Sequence, residues 1–268
     1  MKSFLTQHRT KQKRMKVRKF FLRFGIFFVL ATGSMLFLLL SPQFQFGHVT
    51  LSGNASVVSE DIIRATNRFL SERVAWFFPR SNVLLFRPYV LERYILQEFP
   101  RLASADVSRS FSRELTLDVS ERSPWGLYCK ISVRDCYYIA EDGVLTAPAP
   151  HLIGNAVFRI TDQRTMSAFF ILGERAIEES DAVFFRQVIN LLTDRYKVTV
   201  REVMLGRVFQ DQTELYTDEG WYVLFDEHTN KERALENLAL VLDQHITDRS
   251  TLEYIDIRFE GKVFYKNK

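Results

Sequence analysis

The sequence predicts an α+β protein held at a membrane by a single N-terminal transmembrane helix. Three observations predict it. One uninterrupted apolar run lies near the N-terminus, two amphipathic helices among short alternating strands follow it, and a strand-rich stretch with two more helices runs to the C-terminus. With 268 residues, 47% of them hydrophobic, the chain has enough apolar material for about two packed domains.

Phe24 to Leu40 reads FGIFFVLATGSMLFLLL, without a charge. A helix over residues 20–41 would be roughly 30 Å long, the thickness of the hydrocarbon core. Arg23 can snorkel at one end, and Ser41-Pro42 stops the helix at the other. No acidic residue precedes Glu60, whereas Lys2, Arg9, Lys11, Lys13, Arg14, Lys16, Arg18, Lys19 and Arg23 are basic. Basic flanks stay on the cytoplasmic side. Residues 1–19 therefore read as a basic cytoplasmic tail, and everything beyond the span as extracytoplasmic. Such a tail attracts anionic membrane lipids, each basic residue adding on the order of 1 kcal/mol. The apolar run exceeds a signal-peptide core and no small-x-small cleavage pattern follows Leu40, so the span reads as an uncleaved anchor. The net charge of +4 belongs to the tail. The remainder is mildly acidic and carries no nucleic-acid footprint.

The first folded unit spans residues 45–121. Phe46 to Leu51 is a strand stopped at Gly53-Asn54, two residues that tolerate φ > 0. Ser59-Glu60-Asp61 opens a helix with Ser59 as its cap, and Ile62, Ile63, Thr66, Phe69 and Leu70 form its apolar stripe. Trp76-Phe77-Phe78-Pro79 reads as an apolar loop. A second helix starts near Pro88, carries Val90, Leu91, Tyr94, Ile95 and Phe99, and ends at Pro100. Strands follow at residues 103–110 and 115–119, giving the order β-α-α-β-β.

The second unit spans residues 122–268. Strands are expected at residues 125–131 and 136–140, with an Asp142-Gly143 turn before Val144-Leu145 and a loop marked by Pro148 and Pro150. Phe184, Val188, Leu191 and Leu192 mark a helix over 181–196, and Ala234, Leu238, Val241 and Leu242 another over 230–246. Strands are placed at residues 198–205, 213–217 and 221–225. A closing hairpin, 253–259 and 262–266, turns at Glu260-Gly261. Residues 150–230 are weakly patterned. Cys129 and Cys136 flank a short turn and suit a cross-strand disulfide in an extracytoplasmic compartment; free or metal-binding thiols are the competing reading.

The first unit resembles the POTRA domain of the FtsQ/DivIB family of bacterial cell-division proteins. The resemblance rests on the order of Val49, Gly53-Asn54, Asp61-Ile62, Phe99-Pro100, Ala105, Val107, Arg109, Leu115, Leu117, Val119 and Glu121-Arg122-x-Pro124, directly after one transmembrane helix. Ser112 departs from the family, which often has proline there. The second unit is similar to that family's β-domain in its Asp142-Gly143 turn and its Tyr254-Ile255-Asp256-Ile257-Arg258 strand. The resemblance implies a non-catalytic scaffold of the divisome, located at the septum of the cell membrane. It would link early and late division proteins and dock FtsB/FtsL-type (DivIC-type) partners through its C-terminal strands. Carried over, the contact residues are Tyr254, Asp256, Arg258, Lys262, Val263, Phe264 and Tyr265, on an edge open to strand addition. Of Val263, Phe264 and Tyr265, one set must face the core and the other a partner.

No constellation for catalysis stands out. The five histidines are scattered, and no nucleophile elbow, phosphate loop or zinc motif is present. Asp226-x-His228 reads as a polar cluster at a helix start, Glu121 with Arg122 as an ion pair, and Glu141-Asp142 and Glu178-Glu179 as solvated acids. The expectation is no enzyme, cofactor, metal, nucleic acid or small-molecule substrate. The rival is a membrane-tethered extracytoplasmic enzyme or solute sensor, which requires a deep apolar pocket with convergent polar groups in the second unit.

Overall fold

The structure, a computed structural model, describes residues 22–74, 76–110, 112–130, 136–150, 157–164, 170–207, 210–226 and 228–268. The basic tail and the first residues of the expected span lie outside these. The chain is α+β and divides into two compact units, Met1–Ile95 with Ala105–Val119, and Leu96–Ser104 with Ser120–Lys268.

In the first unit, α1 (Leu22–Leu40) has a mean hydropathy of 2.0 and is long and apolar enough to cross a membrane. Within it the Thr32 hydroxyl donates to the Phe28 carbonyl one turn back, so this polar group is satisfied inside the helix. A 3-10 turn, Pro42–Phe44, follows, with Ser41 as its cap. The end of α1 is held by one buried side chain. Asn82 Nδ2 donates to the Leu38 and Leu39 carbonyls at 3.1 and 3.0 Å, while its Oδ1 accepts from Leu84 N at 2.9 Å. Carbonyls that a helix end leaves without partners are thereby paired, and the helix is tied to the loop of residues 82–86.

β1 (His48–Ser52) leads into α2 (Ser59–Ser71), then a two-stranded ribbon of β2 (Arg73–Val74) and β3 (Phe78–Pro79), then α3 (Pro88–Glu98), β4 (Leu102–Arg109) and β5 (Glu114–Glu121). The sheet order is β1-β5-β4, and β1 runs parallel to β5 with Val49 opposite Leu115 and Leu51 opposite Leu117. Ile62, Ala65 and Phe69 of α2 and Leu91 and Ile95 of α3 are buried, as are Leu115, Leu117 and Val119 on alternate positions of β5. The helical and strand periodicities thus both deliver their apolar faces to the core. Arg109 donates to the carbonyls of Val83 and Phe86 at 2.6 and 3.1 Å, fixing the same loop that Asn82 ties to α1.

Two local expectations change. Ser59 is the first helical residue and Val58 the cap, without a side-chain bond; the Ser59 hydroxyl instead accepts from Asn54 Nδ2 at 2.8 Å. The residue 76–79 loop is half strand, because Val74 pairs with Phe78 and Arg73 with Pro79.

The second unit is built on one mixed sheet. Its strands are β6 (Pro124–Lys130), β7 (Cys136–Ala140), β8 (Leu145–Ala149), β9 (Arg159–Asp162), β10 (Val200–Arg207), β11 (Gln210–Thr217), β12 (Tyr222–Phe225), β13 (Leu252–Asp256) and β14 (Phe264–Asn267). The spatial order is β14-β13-β12-β11-β10-β9-β6-β7-β8. Between β9 and β10 lies α4 (Glu179–Asn190), continued by a π-helical turn, Leu191–Arg195; between β12 and β13 lies α5 (Lys231–Gln244). Phe184 and Val188 of α4 and Ala234, Leu238 and Leu242 of α5 pack with Val203, Leu215, Val223 and Ile255 from successive strands. Trp221 is fully buried in this core.

Several expectations are corrected here. β9 falls in the weakly patterned stretch and was not expected. Pro148 lies within β8 rather than in a loop, which an edge strand permits because its outward N–H has no ladder partner. Arg122 pairs with Asp142, and Arg186 pairs with Glu141 at 2.8 Å, so the two acids of that turn are not simply solvated. Arg122 also donates to the Pro100 carbonyl at 3.1 Å.

Cys129 and Cys136 stand directly opposite each other on β6 and β7 and are joined by a disulfide, with Cα atoms 4.4 Å apart. The turn between them, residues 131–135, lies outside the described residues. For a loop this short the chain-entropy model gives about 2.5 kcal/mol. Reduction, or Cys129→Ser with Cys136→Ser, should lower stability by about that much in denaturant melts without changing the circular dichroism at low denaturant. Gly53 has φ 86° and a Cβ added there would stand 1.9 Å from the Val119 carbonyl oxygen. Gly53→Ala should therefore cost the first unit about 2 kcal/mol or more, read as a lower melting temperature.

Candidate functional site

The C-terminal hairpin is the sheet margin on which the family resemblance implies a partner site. β13 runs parallel to β12, with Tyr222 opposite Tyr254 and Val223 opposite Ile255. β14 runs antiparallel to β13, with Asp256 opposite Phe264, Ile255 opposite Tyr265 and Tyr254 opposite Lys266. β14 is the last strand of the sheet, so every second backbone N–H and C=O along it points away from the ladder. The strand is shorter than expected: Lys262 and Val263 lie in the connection before it.

The register assigns the faces. Ile255 and the residues across from it belong to the helix-covered core, which puts Tyr265 on the helix side at the sheet margin, still 45% exposed. Val263 packs partly buried against the same core. Phe264 and Lys266 point to the opposite face. Phe264 is half exposed, and its ring meets that of Phe259 edge-on with centroids 5.3 Å apart. Lys266 pairs with Glu253 at 2.6 Å.

On the face of Lys266 the register lines up Tyr216, Tyr222 and Tyr254 across three adjacent strands. Their rings follow one another at 5.1 and 5.7 Å between centroids. Such cross-strand aromatic pairs contribute roughly 0.2–1 kcal/mol each. They also present a rigid, amphipathic surface of the kind enriched at protein interfaces. Tyr216, Tyr222 and Phe259 were missed by the sequence reading. Only the register brings them beside Tyr254 and Phe264; the signal available was a tyrosine in each of three separated strands.

Asp256 and Arg258 pair with each other. Asp256 is buried at 5% exposure and takes both Nε and a terminal nitrogen of Arg258, at 2.9 and 2.6 Å, plus the Arg258 backbone N–H at 3.1 Å. That fork holds the guanidinium's pKa above its usual value, the Asp256 hydrogen bond being the main cause. The guanidinium also lies 5.7 Å from the Phe259 ring centroid. The pair locks the β13–β14 connection and so aims Phe259 at Phe264. Arg233 of α5 pairs with Glu260 in the same connection.

The start of β13 is clamped as well. Arg249 grips both carboxylate oxygens of Glu219 at 2.9 Å, and Trp221 Nε1 donates to the same carboxylate at 2.8 Å. The Arg249 bonds, outweighing burial, hold Glu219 below the usual carboxylate range. Nearby, burial and a hydrogen bond to Asp243 push Tyr196 up to about 12.

Two pockets among the described residues of the second unit bear on the rival reading. A cavity under α4, lined by Asp181, Phe184, Phe225 and Lys231 among others, holds about 120 Å³, against roughly 300–1,000 Å³ for small-molecule sites. A polar groove of about 280 Å³ carries Arg122, Asp142, Glu141 and Arg186, which are paired with one another. Among the described residues no group of three or more histidines, cysteines or acids is placed to hold a metal ion. Asp226 and His228 form the polar turn before α5, with Asp226 accepting from His228 N at 3.0 Å. No protein-family model matches the chain, and no curated protein matches it.

The clamp on β13 titrates in a defined direction. Glu219 has a lower pKa folded than unfolded, so below its unfolded value, about 4.3, the unfolded chain binds more protons than the folded one. Its stabilising contribution is complete at neutral pH and is lost as pH falls from about 5 through the folded pKa. Glu219→Gln should be less stable than the parent at pH 7 and lose less stability between pH 5 and 3, measured by urea melts at each pH.

Proposed function

We propose that this chain is a non-catalytic, membrane-anchored scaffold of the bacterial divisome, of FtsQ/DivIB type. In this reading α1 is a single span with the N-terminus cytoplasmic. The first unit is a POTRA domain and the second a β-domain that captures FtsB/FtsL-type partners at the septum. The observation that carries the reading is β14, a short edge strand flanked by exposed Phe264, Tyr265 and Phe259 on a large sheet. An extended partner segment can pair with the free backbone groups of such an edge, and aromatic side chains on both faces can close around it. The β-α-α-β-β order of the first unit's main elements, directly after an apolar helix, supports the same family.

Partner contact is assigned to Phe264, Tyr265, Lys262 and Tyr254. Asp256 and Arg258 position the hairpin, and Val263 seats it on the core. Removing the entire hairpin would be uninformative, because Ile255 of β13 is fully buried.

Phe264→Asp, and deletion of residues 264–268, should each weaken binding to an FtsB/FtsL-type partner by about tenfold or more, equivalent to about 1.4 kcal/mol, in titrations with full-length protein in detergent. The second unit should keep its melting transition. Partner affinity unchanged in both variants would sink the edge assignment. A fluorescent fusion to the cytoplasmic N-terminus should form a band at the division site before constriction, and a uniform membrane signal throughout the cell cycle would count against the divisome role.

A further inference from the structure

The ribbon β2–β3 has a tip that the fold does not explain. Trp76 is 88% exposed and Phe77 72% exposed, and Val74, Leu84 and Leu85 beside them are exposed as well. Trp76 also has φ 71°, the left-handed region that bulky side chains avoid. A tryptophan that is both backbone-strained and bare to water gains nothing from the fold of its own unit, and such strain persists where function uses it.

Its location supplies the use. Phe77 and Leu40, the last residue of α1, line one cleft of about 340 Å³. The Asn82 bonds to the Leu38 and Leu39 carbonyls set that end of α1 against the loop that follows the ribbon. The tip therefore sits at the level where α1 leaves the hydrocarbon. Arg73 lines the same cleft as Phe77, and Arg87 and Arg80, the latter also 3.4 Å from Glu72, line a second, mainly apolar cleft with Val74, Phe78 and Leu85. Aromatic tips with arginines above them match the two layers of a membrane interface, acyl chains and phosphates.

We propose that the Trp76–Phe77 tip inserts into the leaflet at the C-terminal end of α1, with these arginines on lipid phosphates. The first unit then has two attachments to the bilayer and a restricted tilt above it. The proposal rests on α1 being a membrane span. Its occupant is lipid, because the patch is continuous with the apolar surface of α1 and its charges complement phosphate.

The test uses the full chain in nanodiscs of phosphatidylglycerol and phosphatidylcholine brominated along the acyl chains. Trp76 emission is isolated as the difference between the parent and Trp76→Phe. Shallow bromines should quench most of it, and aqueous iodide little. Trp76→Gly, which removes the ring and relieves the positive φ, should melt no lower than the parent. Emission quenched by iodide but not by bromolipid would overturn the insertion, as would shielding that appears only when a partner protein is added. A markedly lower melting temperature for Trp76→Gly would assign the ring to the fold instead. Extraction of the membranes with alkaline carbonate separates the two premises: release of the protein defeats the span itself, whereas retention with an unquenched Trp76 defeats only the second attachment.

Discussion

Backbone hydrogen bonds inside a sheet have to be paired, and in the second unit four residues decide whether that condition is met. β9, Arg159–Asp162, runs parallel to β6 on one side and to β10 on the other. Without it the β6–β8 meander and the β10–β14 ladder would each present an open inner edge. The strand is closed off by Asp162, buried at 3% exposure, which accepts from the Tyr128 hydroxyl and from the backbone and side chain of Arg164. Burial opposes the carboxylate's charge, but the bonds from Arg164 and Tyr128 outweigh it and hold its pKa below the usual range. Burial and the same Asp162 bond push the Tyr128 hydroxyl upward.

Among the described residues the two margins of this sheet differ. β8 carries Pro148 and lies next to the disulfide-linked β6–β7 pair, so one of its backbone positions offers no donor to an added strand. β14 has no proline and aromatic residues on both faces, its ladder with β13 shifts register between Leu252 and Tyr254, and its connection carries the Asp256–Arg258 fork. In the first unit the equivalent organising group is Asn82, a single buried amide that joins the end of the apolar helix to the loop held by Arg109.

Much of this was legible because it depends on local chemistry. α1, α2, α3, α4 and α5 were visible as apolar runs or stripes at helical spacing, and Pro88 and Asn230 marked where two of them begin. β5 was visible through Leu115, Leu117 and Val119 alternating with polar residues. β9 was not visible, because Arg-Ile-Thr-Asp has only one apolar residue and its strand state comes from neighbours on both sides. Pro148 was misread because a proline signals a loop until the position at a sheet edge is known.

The same division holds for the candidate site. The sequence by itself determined that a basic stretch precedes an apolar helix and that residues 253–266 alternate as a hairpin, because hydropathy, charge and period 2 are properties of contiguous residues. Only the tertiary structure decided that β14 is the last strand, that Tyr265 takes the helix side and Phe264 the other, and that Tyr216, Tyr222 and Tyr254 form one row. Those facts follow from pairing between segments far apart in the chain, and a one-residue change of register would have exchanged the faces of Phe264 and Tyr265 and broken the tyrosine row.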